Sequence, residues 1–297
     1  MYNYLKLMKV FYKFGSLDRG TLTRIFKLYI KSKRLKRIGV ESINLKELIG
    51  RIESKRQNKT CHIIGSGASL NGSKKIIDAQ DYVMGCNYSG ISRIKHDLYF
   101  TEFAGESCKN VFEDHKQIIK TLKRQGTLTL FKNIWHERNE IEYISDLFSE
   151  QGVMYIEDYI IHNKWSRYEL DSWYDYILNQ EETFLPQMSS SVVTMLFLAI
   201  RCGFDKIYIH GVDFGGLYFY QSECYDNSGF QNMNVFQVKS NNMATYNNPD
   251  KVHATARSKV GISEVLSFFN SKASNVNIIA AKKGGKLDII LKEHNYE

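Results

Sequence analysis

The chain has 297 residues, of which 43% are hydrophobic and 24% are charged. This composition is typical of folded globular domains and excludes disordered and fibrous proteins. Its most apolar stretch, Val192–Ile200, is far shorter than the roughly 20 residues of a membrane-spanning helix, and the first residues lack the apolar block of a secretion signal. The five cysteines form no CxxC pair, which argues against a disulfide framework and a thiolate zinc site. We therefore expect a cytoplasmic protein.

The charge is unevenly distributed along the chain. The formal net charge is +8, but residues 1–60 contain 16 Lys and Arg against four acidic residues, so this part carries +12 and the other 237 residues carry −4. A basic segment before a mildly acidic body is typical of an appended electrostatic anchor rather than of a nucleic-acid-binding core. We predict a basic helical segment at residues 1–58, a larger domain at residues 59–297, and no nucleic-acid partner.

The basic segment also has an apolar side. Its apolar residues follow helical spacing in two groups, Leu7, Met8, Phe11 and Phe14 and then Leu22, Phe26 and Tyr29. Gly15 and Gly20 bracket the predicted break between two helices. Basic amphipathic helices of this kind bind the interface of anionic bilayers. Packing of the stripe against the body explains the pattern equally well, because periodicity does not distinguish a core face from a lipid face.

From residue 61 onward, short β-rich runs alternate with amphipathic helical stretches. We predict strands at Cys61–Ile64, Tyr82–Cys86, Asp97–Thr101, Thr127–Phe131, Met154–Ile156, Lys206–His210 and Val276–Ala280. We predict helices near Ser73–Asp78, Asp114–Arg124, Glu140–Gln151, Ser191–Cys202 and Ile262–Phe269. This alternation predicts an α/β fold, a Rossmann-like and mostly parallel sheet with helices on both faces.

One long stretch interrupts this alternation. Residues of about 215–252 are rich in Gly, Tyr, Asn and Ser, show no clear periodicity, and are too numerous for a plain connection in a compact domain. Long loops of this kind often cover active sites. We predict a lid insertion here.

A glycine-rich turn follows the first predicted strand of the larger domain. The sequence continues from that strand through Gly65, Ser66, Gly67, Ala68 and Ser69 into a helical stretch. Glycines at such a turn let backbone N–H groups approach a phosphate, next to the positive end of a helix. The turn matches neither the dinucleotide fingerprint nor the Lys-containing phosphate loop, and a tight strand-to-helix connection without a ligand requires the same glycines. Both interpretations stay open.

Polar residues also follow two other strands and precede one helix. Asn87 and Asp213 come directly after predicted strands, whose carboxyl ends meet at one edge of a parallel sheet. Local turn formation is the alternative role for both residues. In the block from Ser189 to Ser191, one serine is expected to cap the following helix, while the other two offer hydroxyl groups for a carboxylate or a phosphate.

The histidines show no metal-binding spacing, and no Asp-x-Asp motif occurs. His62 and His210 lie in predicted strands and are expected to be structural. His253 lies between the predicted lid and the next helix and is the best-placed general base. We predict no metal site and no cofactor.

Several of these blocks together resemble the bacterial sialyltransferases of glycosyltransferase family 42. The resemblance covers residues 60–290 loosely, in the same order and with the same spacing within each block. It rests on the segment from Ile63 to Leu70, on Cys86 with Asn87, on Ser190 with Ser191, and on the segment from Ala199 to Phe214.

The resemblance implies a metal-independent, inverting transfer of sialic acid or a related nonulosonic acid from its CMP-activated donor to a sugar hydroxyl. The donor-binding positions that it implies are Gly65, Ser66, Gly67, Ser69, Asn87, Thr101, Ser190, Ser191 and Asp213. Tyr218 and Tyr220, with Tyr225 as the next candidate, would hydrogen-bond the departing phosphate. A histidine, here His253, would deprotonate the acceptor.

The sequence departs from the family pattern at three positions. Thr101 stands where the family has asparagine, and Met188 stands where it has arginine. Arg257 occupies the position of the catalytic histidine, with His253 four residues earlier. Because arginine stays protonated at neutral pH, it cannot act as that base. Either His253 performs this step through a shifted loop, or the base lies elsewhere in the chain.

The interpretation favoured here is a glycosyltransferase peripheral to the inner, cytoplasmic membrane. Its glycan acceptor is expected to be a lipid-linked oligosaccharide or a lipopolysaccharide, and homo-oligomer formation stays open. Two alternatives remain: an ATP- and Mg²⁺-dependent diphosphokinase-like transferase on the same fold, and a non-catalytic adaptor that binds membrane or nucleic acid.

Overall fold

The computed structural model describes residues 19–101, 109–132, 152–156, 190–214, 217–237 and 262–293. It also describes the short stretches 4–5, 8–9, 12, 147–148, 158–160, 171 and 184–187.

The described strands form one large sheet and one small one. In chain order they are β1 (Ser42–Ile43), β2 (Thr60–Ile64), β3 (Tyr82–Cys86), β4 (Leu98–Thr101), β5 (Leu128–Phe131), β6 (Met154–Ile156), β7 (Asp158–Ile160), β8 (Leu185–Gln187), β9 (Lys206–His210) and β10 (Asn277–Ala280). The large sheet has the order β1-β6-β5-β4-β3-β2-β9-β10, with parallel neighbours throughout, while β7 and β8 form a separate parallel pair. The predicted α/β fold is confirmed, and each of the seven predicted strands lies within one residue of its expected bounds.

The described helices lie between these strands. They are α1 (Arg19–Arg37), α2 (Leu45–Lys55), α3 (Leu70–Ser73), α4 (Lys109–Arg124), α5 (Ser191–Arg201), α6 (Asn234–Gln237), α7 (Ile262–Lys272) and α8 (Lys286–Glu293). The helix predicted near Ser73–Asp78 is wrong in its bounds, because α3 ends at Ser73 and only the 3₁₀ helix Lys74–Ile76 follows. Of the helix predicted at Glu140–Gln151, residues 147 and 148 are helical and the rest lies outside the described residues.

Helices cover both faces of the large sheet. On one face, Ile63 and Met84 pack with Phe197 of α5 in a first core cluster. On the other face, Ile64 and Tyr99 pack with apolar residues of α4 in a second cluster. The central strands β2 and β3 are buried on both sides, which explains their nearly continuous apolar sequences.

The C-terminal part of the basic segment belongs to the sheet domain. β1 pairs with β6 at the edge of the large sheet, and Leu45, Leu48 and Ile52 of α2 are fully buried in the first core cluster. Although the sequence analysis divides the chain at residue 58, residues 42–55 therefore share the core of the larger domain.

Helix α1 differs from its prediction in two ways. It begins at Arg19 and continues through Gly20, so the predicted break does not extend to this residue. Its buried residues include Ile25 and Leu35, whereas Leu22 is 37% exposed and Phe26 is 62% exposed. The stripe predicted from Leu22 and Phe26 thus lies on the outer side of the helix, because α1 carries apolar residues on two sides. In the described part of the chain, every helix is too short or too polar to cross a membrane.

Candidate active site

Four strands end in residues that the sequence analysis selects. Gly65 follows β2, Asn87 follows β3, and Gly211 with Asp213 follows β9, while Thr101 is the last residue of β4. Because β4, β3, β2 and β9 are consecutive parallel neighbours, these residues lie along one edge of the sheet. The structure therefore brings these predicted residues together at the carboxyl edge.

Four of the five backbone amides of the glycine-rich turn are bonded within the protein. Gly65 donates to the His210 carbonyl at 2.8 Å, Gly67 donates to Gly211 at 2.8 Å, and Ala68 donates to Leu217 at 3.1 Å. The Ser69 amide donates to Asp213 Oδ2 at 2.9 Å. These four amides hold the turn against β9 and the segment that follows it, so they are not available to an anion at this turn.

Close packing explains the glycines of the turn. A Cβ atom on Gly65 would lie 2.4 Å from the carbonyl oxygen of Gly211, and one on Gly67 would lie 2.4 Å from Asp213 Oδ2. Gly211 itself has φ +61°, and a Cβ atom added there would lie 2.8 Å from the Gly65 carbonyl oxygen. The alternative left open by the sequence, a tight connection that needs glycine for its own packing, therefore accounts for Gly65, Gly67 and Gly211.

The segment after Asp213 lies alongside this turn. Tyr218 forms an antiparallel bridge with Gly67, and the Phe219 amide donates to the Ser66 carbonyl at 3.1 Å. Tyr218 is partly exposed and stacks on Tyr220, with ring centroids 5.2 Å apart. Tyr220 is buried, and desolvation raises the pKa of its hydroxyl strongly. Of the two predicted tyrosines, Tyr218 is thus the more accessible one.

Residues 217–237, within the predicted lid, are hydrogen-bonded to the sheet domain at two places. Asp114 of α4 is fully buried and accepts hydrogen bonds from the Asn234 amide at 2.6 Å and the Val235 amide at 2.9 Å. The Tyr88 hydroxyl donates to the same carboxylate at 3.0 Å. The Tyr225 hydroxyl donates to the Ile91 carbonyl at 2.7 Å, which adds a second attachment.

Asp114 is not among the residues predicted from the sequence. Its signal is a carboxylate one helical turn before Ile118, on the inward stripe of an amphipathic helix. An acidic residue at an apolar position indicates a buried hydrogen-bonding role, although the sequence does not identify the donors.

Asn87 and Thr101 differ in accessibility. Asn87 is partly exposed and has φ +51°, a left-handed conformation that asparagine tolerates better than most residues. Its carbonyl accepts a hydrogen bond from the Tyr99 hydroxyl. Thr101 is fully buried, and its Oγ1 lies 3.1 Å from His115 Nδ1. Asn87 is therefore partly accessible at the edge, whereas Thr101 is buried there.

Ser190 caps α5, as expected for one serine of the block. Its Oγ accepts a hydrogen bond from the Val193 amide at 3.3 Å, and Ser191 is 9% exposed. Because α5 leads into the parallel strand β9, its N-terminus lies toward the carboxyl edge of the sheet. The predicted base His253 lies outside the described residues, as do Met188, Ser189 and Arg257.

The two strand histidines belong to one buried network. His62 Nε2 lies 2.8 Å from Asp81 Oδ2, and its Nδ1 lies 2.8 Å from His210 Nε2. Ser73 Oγ lies 2.9 Å from His210 Nδ1. Burial lowers the pKa of His210 to about 3, and burial also lowers the pKa of His62 despite the nearby Asp81 carboxylate. Both histidines are therefore neutral at physiological pH.

These lowered pKa values predict that the protein loses stability as the pH falls. In the unfolded chain, histidine takes up a proton near pH 6.5, whereas His210 in the folded protein stays neutral down to about pH 3. The unfolded state thus binds more protons in this window, and each such histidine reduces the free energy of unfolding by about 1.4 kcal/mol per pH unit. Urea unfolding between pH 7 and pH 4.5 measures this slope. A His210→Gln variant with the wild-type slope would contradict the assignment.

Within the described part of the chain, no three His, Cys, Asp or Glu side chains are grouped in a way that would hold a metal ion. Among the cysteines described, Cys61, Cys86 and Cys202 are buried thiols and Cys224 is exposed.

Comparisons with known proteins find solved structures that are similar to this chain at low sequence identity. No family model matches the sequence, and no curated protein matches it. The chain is similar to the monofunctional alpha-2,3-sialyltransferase Cst-I from Campylobacter jejuni, with 21% identity and a TM-score of 0.43 over 78% of each chain. It is also similar to the sialyltransferase CstII from Campylobacter jejuni in complex with cytidine-5'-monophosphate, with 16% identity and a TM-score of 0.40 over 78% of this chain and 83% of that one. A likeness at this level carries no information on the reaction.

Proposed function

We propose that the protein is a glycosyltransferase that transfers sialic acid or a related nonulosonic acid from a CMP-activated donor to a sugar hydroxyl. The observation that carries this proposal is the carboxyl edge of the sheet, where the glycine-rich turn, Asn87 and the partly exposed Tyr218 lie on neighbouring elements. These residues belong to the blocks that resemble glycosyltransferase family 42. A crevice beyond the carboxyl ends of parallel strands is the usual place for a nucleotide in an open α/β sheet.

The donor carries a phosphate and a carboxylate, so it needs hydrogen-bond donors. Four amides of the glycine-rich turn are occupied, so we assign donor binding mainly to side chains. These are the hydroxyls of Ser66 and Ser69, the side-chain amide of Asn87, and the hydroxyls at the N-terminus of α5. Gly65, Gly67 and Asp213 shape the turn that presents these groups. Thr101 supports the same edge from beneath.

Departure of the phosphate requires a donor that remains protonated. Tyr218 is proposed for this role, because it lies beside the glycine-rich turn and is partly exposed. The buried Tyr220 stacks on the Tyr218 ring and holds it in place. The proposed general base is His253, which would remove the proton from the acceptor hydroxyl.

Transfer assays test these roles. Purified protein is incubated with CMP-sialic acid and a panel of glycans in EDTA, and released CMP is measured. We expect Tyr218→Phe and His253→Ala each to lower kcat at least about hundredfold, the usual range for a lost acid, base or oxyanion donor. Tyr12→Phe is the matched control, since Tyr12 is 76% exposed on the N-terminal segment. Near-normal transfer by His253→Ala would remove this residue from the mechanism, and a strict need for ATP and Mg²⁺ would favour the diphosphokinase alternative.

We also propose that α1 attaches the protein to an anionic, cytoplasmic membrane surface. The helix contains eight Lys and Arg and no acidic residue. Its outer side combines the exposed apolar residues Leu22 and Phe26 with exposed cations that include Lys33 and Arg37. This mixture suits an interface in which apolar groups enter the acyl boundary and cations meet lipid phosphates. Such attachment would bring the active site to a lipid-linked glycan acceptor.

Sedimentation with phosphatidylglycerol vesicles measures this attachment. The double variant Leu22→Ser and Phe26→Ser is expected to bind at least about tenfold more weakly, because two apolar side chains no longer leave water. Ile289→Ser is the matched control, since Ile289 is an exposed apolar residue of α8, 48% exposed. Unchanged vesicle binding by the double variant would contradict the membrane role of α1.

A further inference from the structure

A network of four polar side chains lies on one face of the sheet, next to the glycine-rich turn, and the proposed mechanism does not use it. It runs from Asp81 through His62 on β2 and His210 on β9 to Ser73, the last residue of α3. His62, His210 and Ser73 are 0%, 1% and 2% exposed. A tyrosine ring, Tyr208, stacks on His62 with centroids 5.0 Å apart and closes one side of the network.

The direction of every hydrogen bond in this network follows from its Asp81 end. Although partial burial acts to raise the pKa of Asp81, hydrogen bonds from Asn58 and His62 outweigh it and lower the pKa, so this carboxylate only accepts. His62 must therefore donate from Nε2 and accept at Nδ1. His210 then donates from Nε2 and accepts at Nδ1, and Ser73 donates its hydroxyl proton to His210.

This order of protons determines which of three nearby acceptors receives the hydrogen bond from the Ser73 hydroxyl. Ser73 Oγ lies 3.2 Å from the Ser69 carbonyl and 3.4 Å from the Leu70 carbonyl, in addition to His210 Nδ1 at 2.9 Å. A hydroxyl has one proton, and Asp81 directs it toward His210. The backbone carbonyl of His210 also accepts a hydrogen bond from the Gly65 amide. His210 therefore holds the start of the turn through its backbone and the end of α3 through its ring.

We propose that Asp81, His62 and His210 are positioning residues, which fix Ser73 and thereby hold the glycine-rich turn and Ser69 in the geometry that binds the CMP-activated donor. This inference rests on the proposed function. The network acts through the turn and touches no substrate. It ties together β2, β9, the residues before β3, and α3, and the turn that carries the proposed donor-binding residues Ser66 and Ser69 lies between β2 and α3.

An exchange of Asp81 for asparagine tests the proton order directly. Asp81 Oδ2 accepts from both His62 and the Asp78 amide, and its Oδ1 accepts from the Asn58 side-chain amide. In Asp81→Asn, one of these two positions carries an NH₂ group and opposes a donor. The double variant Asn58→Asp with Asp81→Asn restores complementarity. Its side-chain amide at position 81 donates to the carboxylate introduced at position 58 and keeps an oxygen toward His62.

Two measurements on the full chain follow the network. Nitrogen-15 NMR of the histidine rings identifies the protonated nitrogen, and calorimetry with CMP in EDTA measures donor-site affinity. We expect both rings of the wild type to carry the proton on Nε2. Asp81→Asn and Ser73→Ala should each weaken CMP binding about tenfold, the size expected for a lost hydrogen bond and a displaced turn. The double variant should recover both the Nε2 protonation and the affinity.

The possible outcomes are distinct. Wild-type CMP affinity in Asp81→Asn or in Ser73→Ala, with CMP bound by the wild type, would overturn the positioning role and leave the proposed function intact. Failure of the wild type to bind CMP would overturn both. If Asp81→Asn does not fold, two other variants still test the positioning role. The double variant Asn58→Asp with Asp81→Asn must bind CMP normally, and Ser73→Ala must bind it weakly.

Discussion

The Gly65→Ala variant is expected to lose about 3 kcal/mol of folding free energy, the upper part of the range for overpacked sites, and most of its CMP binding. The added Cβ would lie 2.4 Å from the Gly211 carbonyl oxygen and 3.0 Å from the His210 carbonyl oxygen. Both contacts are with backbone oxygens, one of His210 at the end of β9 and one of Gly211 directly after it. No side-chain rotation relieves them. The variant would force the turn away from β9 and break the Gly65 to His210 hydrogen bond. Urea unfolding and CMP calorimetry measure the two effects.

Gly72→Ala is the matched control for this experiment. Gly72 lies seven residues later in α3, and a Cβ atom there meets nothing within 4 Å. Alanine is favoured over glycine in a helix by roughly 0.5–1 kcal/mol, so this variant should be equally or more stable than the wild type. If Gly65→Ala were as stable as Gly72→Ala, the result would contradict the close packing of the turn against the end of β9.

The Asp114→Ala variant is expected to release residues 230–237 from the body and to cost about 3 kcal/mol. Its carboxylate accepts hydrogen bonds from the backbone and side-chain amides of Asn234, the Val235 amide and the Tyr88 hydroxyl, so the variant leaves four partly buried donors without this acceptor. Tyr88 also packs against Tyr220, at 5.4 Å between centroids, and Tyr220 stacks on Tyr218, so the disturbance should reach the proposed phosphate-binding Tyr218. Hydrogen exchange of peptides covering α6 measures the release.

The neighbouring residue Glu113 provides a control on the same helix. Its side chain is 46% exposed and pairs with Lys116 one turn later, an interaction worth at most about 0.5 kcal/mol. Glu113→Ala should therefore keep wild-type exchange rates in α6. Asp114→Asn should not rescue the fold, because each carboxylate oxygen accepts an Asn234 or Val235 amide and an NH₂ group cannot replace either. Slow exchange of α6 in Asp114→Ala would contradict the attachment.

The strands of the large sheet could be predicted from the sequence because their physical signal is local. β2 and β3 are short apolar runs bounded by polar turns, and burial on both faces produces such runs directly. β1 could not be predicted, because it contains two residues, Ser42 and Ile43, and exists through its pairing with β6. The outward side of α1 could not be predicted for a related reason: Ile25 and Phe26 are both apolar, and only the fold decides which of them is buried.

The candidate site was predictable in its location and less so in its chemistry. Parallel strand ends must share an edge, so Gly65, Asn87 and Asp213 could be grouped from the sequence alone. The sequence could not predict that amides of the turn are hydrogen-bonded within the protein. Their acceptors include the Gly211 carbonyl and Asp213, which lie more than 140 residues away in the chain. The histidine network is a long-range contact of the same kind, joining His62 to His210.

Calorimetric titration of the purified protein with CMP in EDTA is the decisive experiment for the proposed function. UDP, GDP and ATP are titrated in parallel, each with EDTA or with Mg²⁺. We expect selective CMP binding that survives EDTA, and a loss of that binding in Gly65→Ala but not in Gly72→Ala. Binding of ATP that requires Mg²⁺, or the absence of any nucleotide binding, would show that the protein is not a CMP-dependent glycosyltransferase.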